Sequence, residues 1–493
     1  MGKNSYRAIF EASAIVGGAQ VTTVLLGIIR TKALALMLGP AGMGLVGLYA
    51  TAADLIGTLC SMGIGSSGVR TVAEAAAIED NAKIGRTIIT LRRVSLVTGI
   101  IGMLVLLTIS SPLSRLTFGN DQHTCGMALM SLTLLFRAIG AGQTALLQGL
   151  RKIRELASSR VFAAVLGTIA GIALIHFLRE DGVAPYLVTV SLFGIITSWW
   201  YARRIHVAHE PISFRDTFRE SRALLGMGFA FMVSAMLTAG VAYASRIVIL
   251  WQLRAEAVGL YQATWTLSSL YVSVVLNAMA MDFYPRLTAV AKDNMMVNRM
   301  VNEQAEMGLL MTTPGVLATI TFAPWVLAVF YSGEFIEAAE IIQWQIMGIA
   351  LRVVSWPLGF VIIAKGNAKI FLLCETTSSA LNISLLFLCL SFFGLEGIGI
   401  SFVLLYVIHS ISMYSICRWL TGFMWSVQVR NILIWSCMII GLTFIVLRGL
   451  PQSFGVIAGI LLTIGTTYAC LQRLQKILNA SIITLLKRSL ANK

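Results

Sequence analysis

Residues 12–64 read ASAIVGGAQVTTVLLGIIRTKALALMLGPAGMGLVGLYATAADLIGTLCSMGI, and this stretch decides the class of fold. It consists of two apolar runs, 12–37 and 43–64, separated by a short turn that contains Gly39 and Pro40. A transmembrane helix needs about 20 mostly apolar residues, and each run meets that length. The stretch therefore predicts two helices that cross a lipid bilayer.

The same pattern continues along the whole chain. Of its 493 residues, 57% are hydrophobic and only 12% are charged, whereas a soluble domain carries about 25% charged residues. The composition therefore excludes an ordinary soluble protein and predicts an all-α integral membrane protein. We predict 14 transmembrane helices, at 12–37, 43–64, 88–111, 124–149, 159–178, 184–202, 224–251, 258–281, 306–331, 340–364, 370–393, 397–417, 431–447 and 453–471.

The net charge of +15 is explained by topology. With the N-terminus inside, 28 Lys and Arg residues fall in inside segments, 4 fall in outside loops and the remaining five lie within spans. Cytoplasmic loops of membrane proteins carry such an excess of cations. The distribution predicts a multi-pass membrane protein with both termini in the cytoplasm, and it gives no reason to expect a nucleic-acid partner.

Motifs for catalysis, metal binding and cofactor binding are missing from the sequence. The seven cysteines form no CxxC motif, the five histidines show no metal-ligand spacing, and there is no Walker loop or nucleophile elbow. We therefore expect no catalytic residue, no metal site, no cofactor and no enzymatic activity.

A weak internal repeat suggests that the chain has two similar halves. Residues 38–45 read Leu-Gly-Pro-Ala-Gly-Met-Gly-Leu, and residues 253–260, at an offset of 215, read Leu-Arg-Ala-Glu-Ala-Val-Gly-Leu. Each stretch forms a turn that enters a new span through Gly-Leu, and each follows an intramembrane arginine, Arg30 or Arg246. Transporters are often built from two repeats with the substrate site between them.

The repeat predicts four parts of the chain. Residues 1–205 form an N-terminal lobe of six spans, 206–222 a cytoplasmic linker, and 223–420 a C-terminal lobe of six spans. Residues 430–493 add two further spans and a basic cytoplasmic tail.

The spans contain more cations than anions. A charged side chain at the centre of a span costs about 2.5–3.5 kcal/mol on insertion scales, so such residues need a watery cavity or a partner. For Arg30, Arg137 and Arg246 we favour a cationic cavity that receives an anion, because arginine binds phosphate with two hydrogen bonds. For Lys32 and Arg352 the same cavity and snorkelling to the headgroups are equally consistent with the sequence. The five cations are Arg30, Lys32, Arg137, Arg246 and Arg352.

Two acidic residues, Asp54 and Glu375, also lie within spans. Each could carry a coupling proton or form an ion pair with one of the arginines, and the sequence leaves both roles open. Five cations against two acids leave an excess of about three positive charges, which favours an anionic substrate.

The segment 333–368 carries Gln343-Trp344-Gln345 and Ile362-Ile363-Ala364-Lys365-Gly366. This segment and several others resemble the Wzx-type O-antigen and lipid-linked oligosaccharide flippases of the multidrug/oligosaccharidyl-lipid/polysaccharide (MOP) exporter superfamily. The likeness covers about residues 8–420. The other similar segments are Leu38–Leu45, Val258–Gln262, Tyr284–Leu287 and Gly394–Gly397.

The resemblance implies two six-helix lobes around a central cavity, followed by two extra C-terminal helices. It implies that the substrate is an undecaprenyl-diphosphate-linked oligosaccharide, an O-antigen or enterobacterial common antigen repeat unit, moved between leaflets by alternating access. A polysaccharide polymerase and chain-length machinery are the further partners that it suggests. By position, Arg30 and Arg246 resemble cavity residues of the first and seventh spans of such flippases.

Two alternative functions fit the sequence less well. A cation-coupled multidrug exporter of the same superfamily is expected to have an acidic or aromatic cavity, and the excess of intramembrane arginine argues against it. A membrane polysaccharide polymerase or ligase needs a sizeable outside loop, but the longest one here, 112–123, has only Arg115, Asp121 and His123 as titratable groups.

Overall fold

The computed structural model describes residues 3–77, 81–205 and 213–478, and every regular element in these ranges is helical. Short 3₁₀ helices at Arg179–Gly182, Gly333–Ala338 and Gly394–Glu396 join neighbouring α-helices. The α-helices are α1 (Lys3–Ser61), α2 (Ile64–Ala77), α3 (Asn81–Thr108), α4 (Ser110–Phe118), α5 (Thr124–Gly149), α6 (Ile153–Leu178), α7 (Val183–Ala202), α8 (Phe214–Gln252), α9 (Ala255–Ala289), α10 (Asn294–Phe330), α11 (Ala339–Ala364), α12 (Ala368–Phe393), α13 (Gly397–Thr421), α14 (Val427–Gly449) and α15 (Gln452–Leu478).

The prediction of an all-α membrane protein with about 14 spans is confirmed. Ten continuous segments of the described chain are long and apolar enough to cross a membrane. Three of them, Ile15–Ser61, Ile153–Ala202 and Ala368–Thr421, are 47, 50 and 54 residues long, and each contains two of the predicted spans. The helix α9, of 35 residues, covers the remaining predicted span at 258–281.

The turn after the first span is a break within α1. Gly39 has φ 62° and ψ −170°, a backbone conformation that side chains other than glycine rarely adopt. Pro40 follows it and has no backbone N–H to donate to the preceding turn. Together the two residues separate the predicted first and second spans, as the sequence indicated.

Two helices, α2 and α4, lie where only loops were expected. The helix α2 buries Val72 and Ala75 on one side, and on the other it exposes Arg70 and Glu74, whose side chains pair at 2.7 Å. Such an amphipathic helix is too polar on average to be recognised by its hydrophobicity, although its apolar residues have helical spacing.

The described chain packs as two compact units. The first comprises residues 1–259 with 330–332, and the second comprises residues 260–329 with 333–493. In the first unit, Ile88 and Leu91 of α3 pack against Ala145 and Leu146 of α5. The predicted lobe boundaries stay a prediction, and residues 206–212 of the predicted linker lie outside the described ranges.

The last two helices, α14 and α15, share a buried apolar cluster with α10 in the second unit. Two asparagines of α10, one helical turn apart, hold the connection between α13 and α14. Asn298 donates to the carbonyl of Thr421 at 3.1 Å and accepts from its hydroxyl at 2.8 Å. Asn302 accepts from the backbone N–H of Ser426 at 2.7 Å and donates to the carbonyl of Met424 at 3.1 Å.

We expect Asn302→Ala to lower the free energy of unfolding by about 1–3 kcal/mol, because it leaves backbone groups of the connection without their partners. On the same helix, Arg299 and Glu303 form an exposed ion pair at 2.8 Å. Its removal by Arg299→Ala should cost no more than about 0.5 kcal/mol. Thermal unfolding of both purified variants measures the difference, and equal destabilisation would contradict the role given to Asn302.

Candidate functional site

Two of the predicted site residues, Asp54 and Arg137, lie together in the first unit. Arg137 on α5 donates a short hydrogen bond from Nη1 to Oδ1 of Asp54 on α1, and the two side chains form an ion pair. Both side chains are about half exposed in the fold. The ion-pair role is thus the one that the geometry displays for Asp54.

The cations Arg30 and Lys32 lie on α1, on the first of its two predicted spans. Both are partly exposed. Arg30 lies close enough to Tyr186 of α7 to interact with it electrostatically. The two cations are separated by Thr31 alone, so their side chains point in directions about 200° apart around the helix axis.

The third arginine of the predicted cavity, Arg246, is enclosed by protein. Only 3% of the residue is exposed, and Nη1 donates to the carbonyl oxygen of Ala242 at 2.6 Å, one turn earlier on α8. A carbonyl oxygen accepts a hydrogen bond without bringing a negative charge, so this contact orients the guanidinium and does not neutralise it.

In the second unit, Arg352 and Glu375 lie within a polar cluster formed by three helices. The guanidinium of Arg352 on α11 lies 5.7 Å from the ring centre of Tyr406 on α13, and it interacts electrostatically with Glu375 on α12. Nearby, the hydroxyl of Ser378 on α12 and Nδ1 of His409 on α13 are hydrogen-bonded at 3.0 Å.

Sequence reasoning did not connect Ser378 and Tyr406 with this cluster. Glu375 and Ser378 are three residues apart on α12, and Tyr406 and His409 are three residues apart on α13. Residues with this spacing share one face of a helix, so the signal was present in the sequence. It was overlooked because uncharged polar residues are common within spans.

The charged residues of the spans are divided unevenly between the two units. Of the seven that the sequence places in spans, Arg30, Lys32, Arg137 and Arg246 lie in the first unit with the single acid Asp54. The second unit has one cation, Arg352, and one acid, Glu375. The predicted excess of positive charge therefore belongs to the first unit, where an anion has the most to gain from binding.

A metal site is not part of this arrangement in the described ranges. No group of three or more His, Cys, Asp or Glu side chains there is arranged to hold a metal ion.

Comparison with known proteins identifies a family and a fold. Residues 11–290 match the model of the family described as "Polysaccharide biosynthesis protein". The "Lipid III flippase" of Escherichia coli (strain K12) is 22% identical over 420 residues, which are 83% of this chain and 97% of that protein.

Two solved structures are similar to the fold. One is "Lipid II flippase MurJ, inward closed conformation", with a TM-score of 0.67, 15% identity and coverage of 94% of this chain and 99% of that one. The other is an inward-facing "multidrug resistance MATE family transporter of the MOP superfamily", with a TM-score of 0.63, 16% identity and coverage of 81% and 94%. The resemblance in the sequence is thus confirmed. Because the family match spans more than half of the 493 residues, the chain belongs to the polysaccharide biosynthesis protein family and has the fold of the MOP superfamily.

Proposed function

We propose that this protein is a flippase of the bacterial inner membrane, and not an enzyme. Its substrate is an undecaprenyl-diphosphate-linked oligosaccharide, an O-antigen or enterobacterial common antigen repeat unit. The protein moves this substrate from the cytoplasmic to the periplasmic leaflet by alternating access. The distribution of Lys and Arg along the chain supports a cytoplasmic location of both termini.

The observation that carries this proposal is the excess of cations within the spans of the first unit. The diphosphate is the charged group that a lipid-linked oligosaccharide must carry across the membrane. Arginines within the bilayer offset this cost through charge-assisted hydrogen bonds, which are about twice as strong as neutral ones. We assign Arg30 and Arg246 to this role. Lys32, two residues after Arg30, and Arg137 are further cations of the same unit.

The relatives support the same class of substrate. The names "Lipid III flippase" and "Lipid II flippase MurJ" both describe proteins that move a lipid, and the family description refers to polysaccharide biosynthesis. A lipid that carries sugars is a substrate consistent with both the movement of a lipid and a role in polysaccharide biosynthesis. On this basis, a polysaccharide polymerase and chain-length machinery are the proteins expected to use the flipped product.

The polar cluster of the second unit can couple the transport cycle to a change of protonation. Glu375 and Arg352 have opposite charges and lie beside the hydrogen-bonded pair of Ser378 and His409. A change of protonation in this cluster alters its net charge, and so it can favour one state of the protein over another. We assign the coupling role to Glu375 and a structural ion-pair role to Asp54.

A cation-coupled drug exporter is the alternative of the same fold. It needs an acidic group for its cationic substrate, and in the spans of the first unit the one acid that we identify, Asp54, is bonded to Arg137. This pairing favours the anionic substrate.

The test is to measure the leaflet accessibility of a lipid-diphosphate oligosaccharide in vesicles that contain the purified protein. We expect Arg30→Ala and Arg246→Ala each to slow transbilayer movement by roughly tenfold or more, because each loses hydrogen bonds of about 1.5–3 kcal/mol to a charged group. Arg160→Ala, at an exposed position on α6, is the matched control and should move the lipid at the wild-type rate.

Because Arg246 is buried, Arg246→Lys is included as a variant that keeps the positive charge, and it should retain more movement than Arg246→Ala. Full movement by both alanine variants would show that the arginines do not bind the substrate. If the wild-type protein moves no lipid-linked sugar at all, the drug exporter becomes the better description.

A further inference from the structure

A cavity of about 390 Å³ lies in the first unit among α3, α5 and the end of α7. This volume is in the range of sites for small ligands. The cavity does not include any of the charged residues assigned above to the transported substrate. Its polar lining comes from Arg92, Ser95, Gln143 and Arg203.

The inner part of the cavity contains a hydroxyl group that lacks a partner. Ser95 is 1% exposed, and its Oγ has no hydrogen-bond partner in the described structure. Gly142 on α5 makes room for this hydroxyl, since a methyl group at Gly142 would lie 2.5 Å from Oγ. A buried hydroxyl without a partner is unfavourable, so a ligand that accepts its hydrogen bond is stabilised.

Next to the hydroxyl, Gln143 is held in one orientation. Ser198 on α7 donates to Oε1 of Gln143 at 2.5 Å. This bond occupies the acceptor end of the amide, and the other end of the amide group is a donor. Gln143 is therefore suited to an acceptor in the cavity, as Ser95 is.

The rim of the cavity is positively charged. Arg92 and Arg203 line it, and the helices α3, α5 and α7 contain no Asp or Glu residue at all. The guanidinium of Arg203 stacks on the ring of Trp200, with its central carbon 3.8 Å from the ring centre. Stacking uses the face of the guanidinium and leaves the N–H groups at its edge able to donate.

Another part of the cavity lining is apolar and exposed. Leu96 and Trp199 line the cavity and are 45% and 49% exposed, and Trp200 beside them is 46% exposed. Tryptophan is enriched at the boundary between headgroups and hydrocarbon. These residues therefore indicate that the cavity opens at the membrane surface, where a ligand from the lipid layer can enter.

We propose that this cavity binds the phosphate headgroup of an anionic phospholipid of the surrounding leaflet, which the distribution of Lys and Arg assigns to the cytoplasmic side. Arg92 and Arg203 neutralise the phosphate, Ser95 and Gln143 donate hydrogen bonds to its oxygens, and Leu96 and Trp199 contact the first carbons of the acyl chains. The site is separate from the transported substrate and ties the first unit to a lipid of the bilayer.

The test is native mass spectrometry of the full-length protein in detergent, titrated with phosphatidylglycerol. Near an anionic phosphate each arginine is worth about 1 kcal/mol, so Arg92→Gln/Arg203→Gln should weaken binding of the first lipid roughly thirtyfold. Ser95→Ala should weaken it about tenfold through the lost hydrogen bond to a charged group. Arg160→Gln, which removes an exposed charge from α6 outside the cavity, should bind as the wild type does.

Wild-type affinity in the double variant, or an equal loss in Arg160→Gln, would falsify the site. Ser95→Ala removes one buried atom and keeps the helix contact, so it tests the cavity even if the double variant does not fold. Two competition experiments identify the source of the phosphate. Displacement of phosphatidylglycerol by inorganic phosphate would mean a site for a free anion, and displacement by an equimolar prenyl diphosphate would mean a docking site for the transported substrate. Either result overturns the assignment to a phospholipid.

Discussion

Gly259→Ala is expected to destabilise the protein by at least about 1–3 kcal/mol, because a methyl group at this position overlaps with fixed backbone. It would lie 1.8 Å from the carbonyl oxygen of Pro40 and 2.6 Å from its carbonyl carbon. No rotation of a side chain can relieve a contact with backbone, so α9 or the break in α1 has to move. Thermal unfolding of the purified variant in detergent measures the loss.

The matched control is Gly240→Ala, the same substitution on α8. No atom lies within 4 Å of a methyl group at Gly240, and alanine is the better helix former by about 1 kcal/mol. This variant is expected to be at least as stable as the wild type. If the two variants unfold at the same temperature, the close approach at Gly259 does not determine stability.

The close approach at Gly259 also explains part of the weak repeat in the sequence. Gly44 and Gly259 are equivalent positions in the repeat of 215 residues, and within the first unit they lie against each other. A methyl group at Gly44 would lie 2.4 Å from the carbonyl oxygen of Ala255 and 3.0 Å from the nitrogen of Gly259. Both turns therefore need glycine where they meet, and this explains why Gly-Leu recurs although the surrounding letters differ.

The spans could be predicted from the sequence because hydrophobicity over about 20 residues is a local property. The prediction even separated the helices that run almost continuously, at Gly39 and at Gly394–Glu396, where glycine marks the turn. It missed α2 and α4, because a short amphipathic helix differs from a loop in the spacing of its apolar residues and not in its average hydrophobicity.

The candidate site could be predicted only in part, for a different reason. Charges well inside spans are costly and hence conspicuous, so the hydrophobic pattern singled out the seven that lie away from the span ends. Their partners are set by packing between distant helices. Asp54 and Arg137 are 83 residues apart, and nothing local to either residue indicates that they pair. Nor does the sequence show that the excess of positive charge belongs to one unit.

Removal of Asp54 from its ion pair with Arg137 is expected to destabilise the protein more than removal of Arg137. We expect Asp54→Asn to lower the free energy of unfolding by about 2.5 kcal/mol, the cost of an unpaired cation within a span. Arg137→Gln should cost less, because the remaining carboxylate can be neutralised by a proton, whereas a guanidinium keeps its charge in proteins. The double variant Asp54→Asn/Arg137→Gln leaves no charge and should recover most of the lost stability.

Unfolding of the wild type, the two single variants and the double variant forms a thermodynamic cycle that isolates the interaction. Arg160→Gln serves as the control, since it removes an exposed cation of the same unit that is not in this pair. An interaction well above 1 kcal/mol means that the pair is shielded from water, because exposed ion pairs rarely exceed that value. If every variant is as stable as the wild type, both side chains face water. In that case Arg137 remains available to an anion, and it joins Arg30 and Arg246 in the binding of the diphosphate.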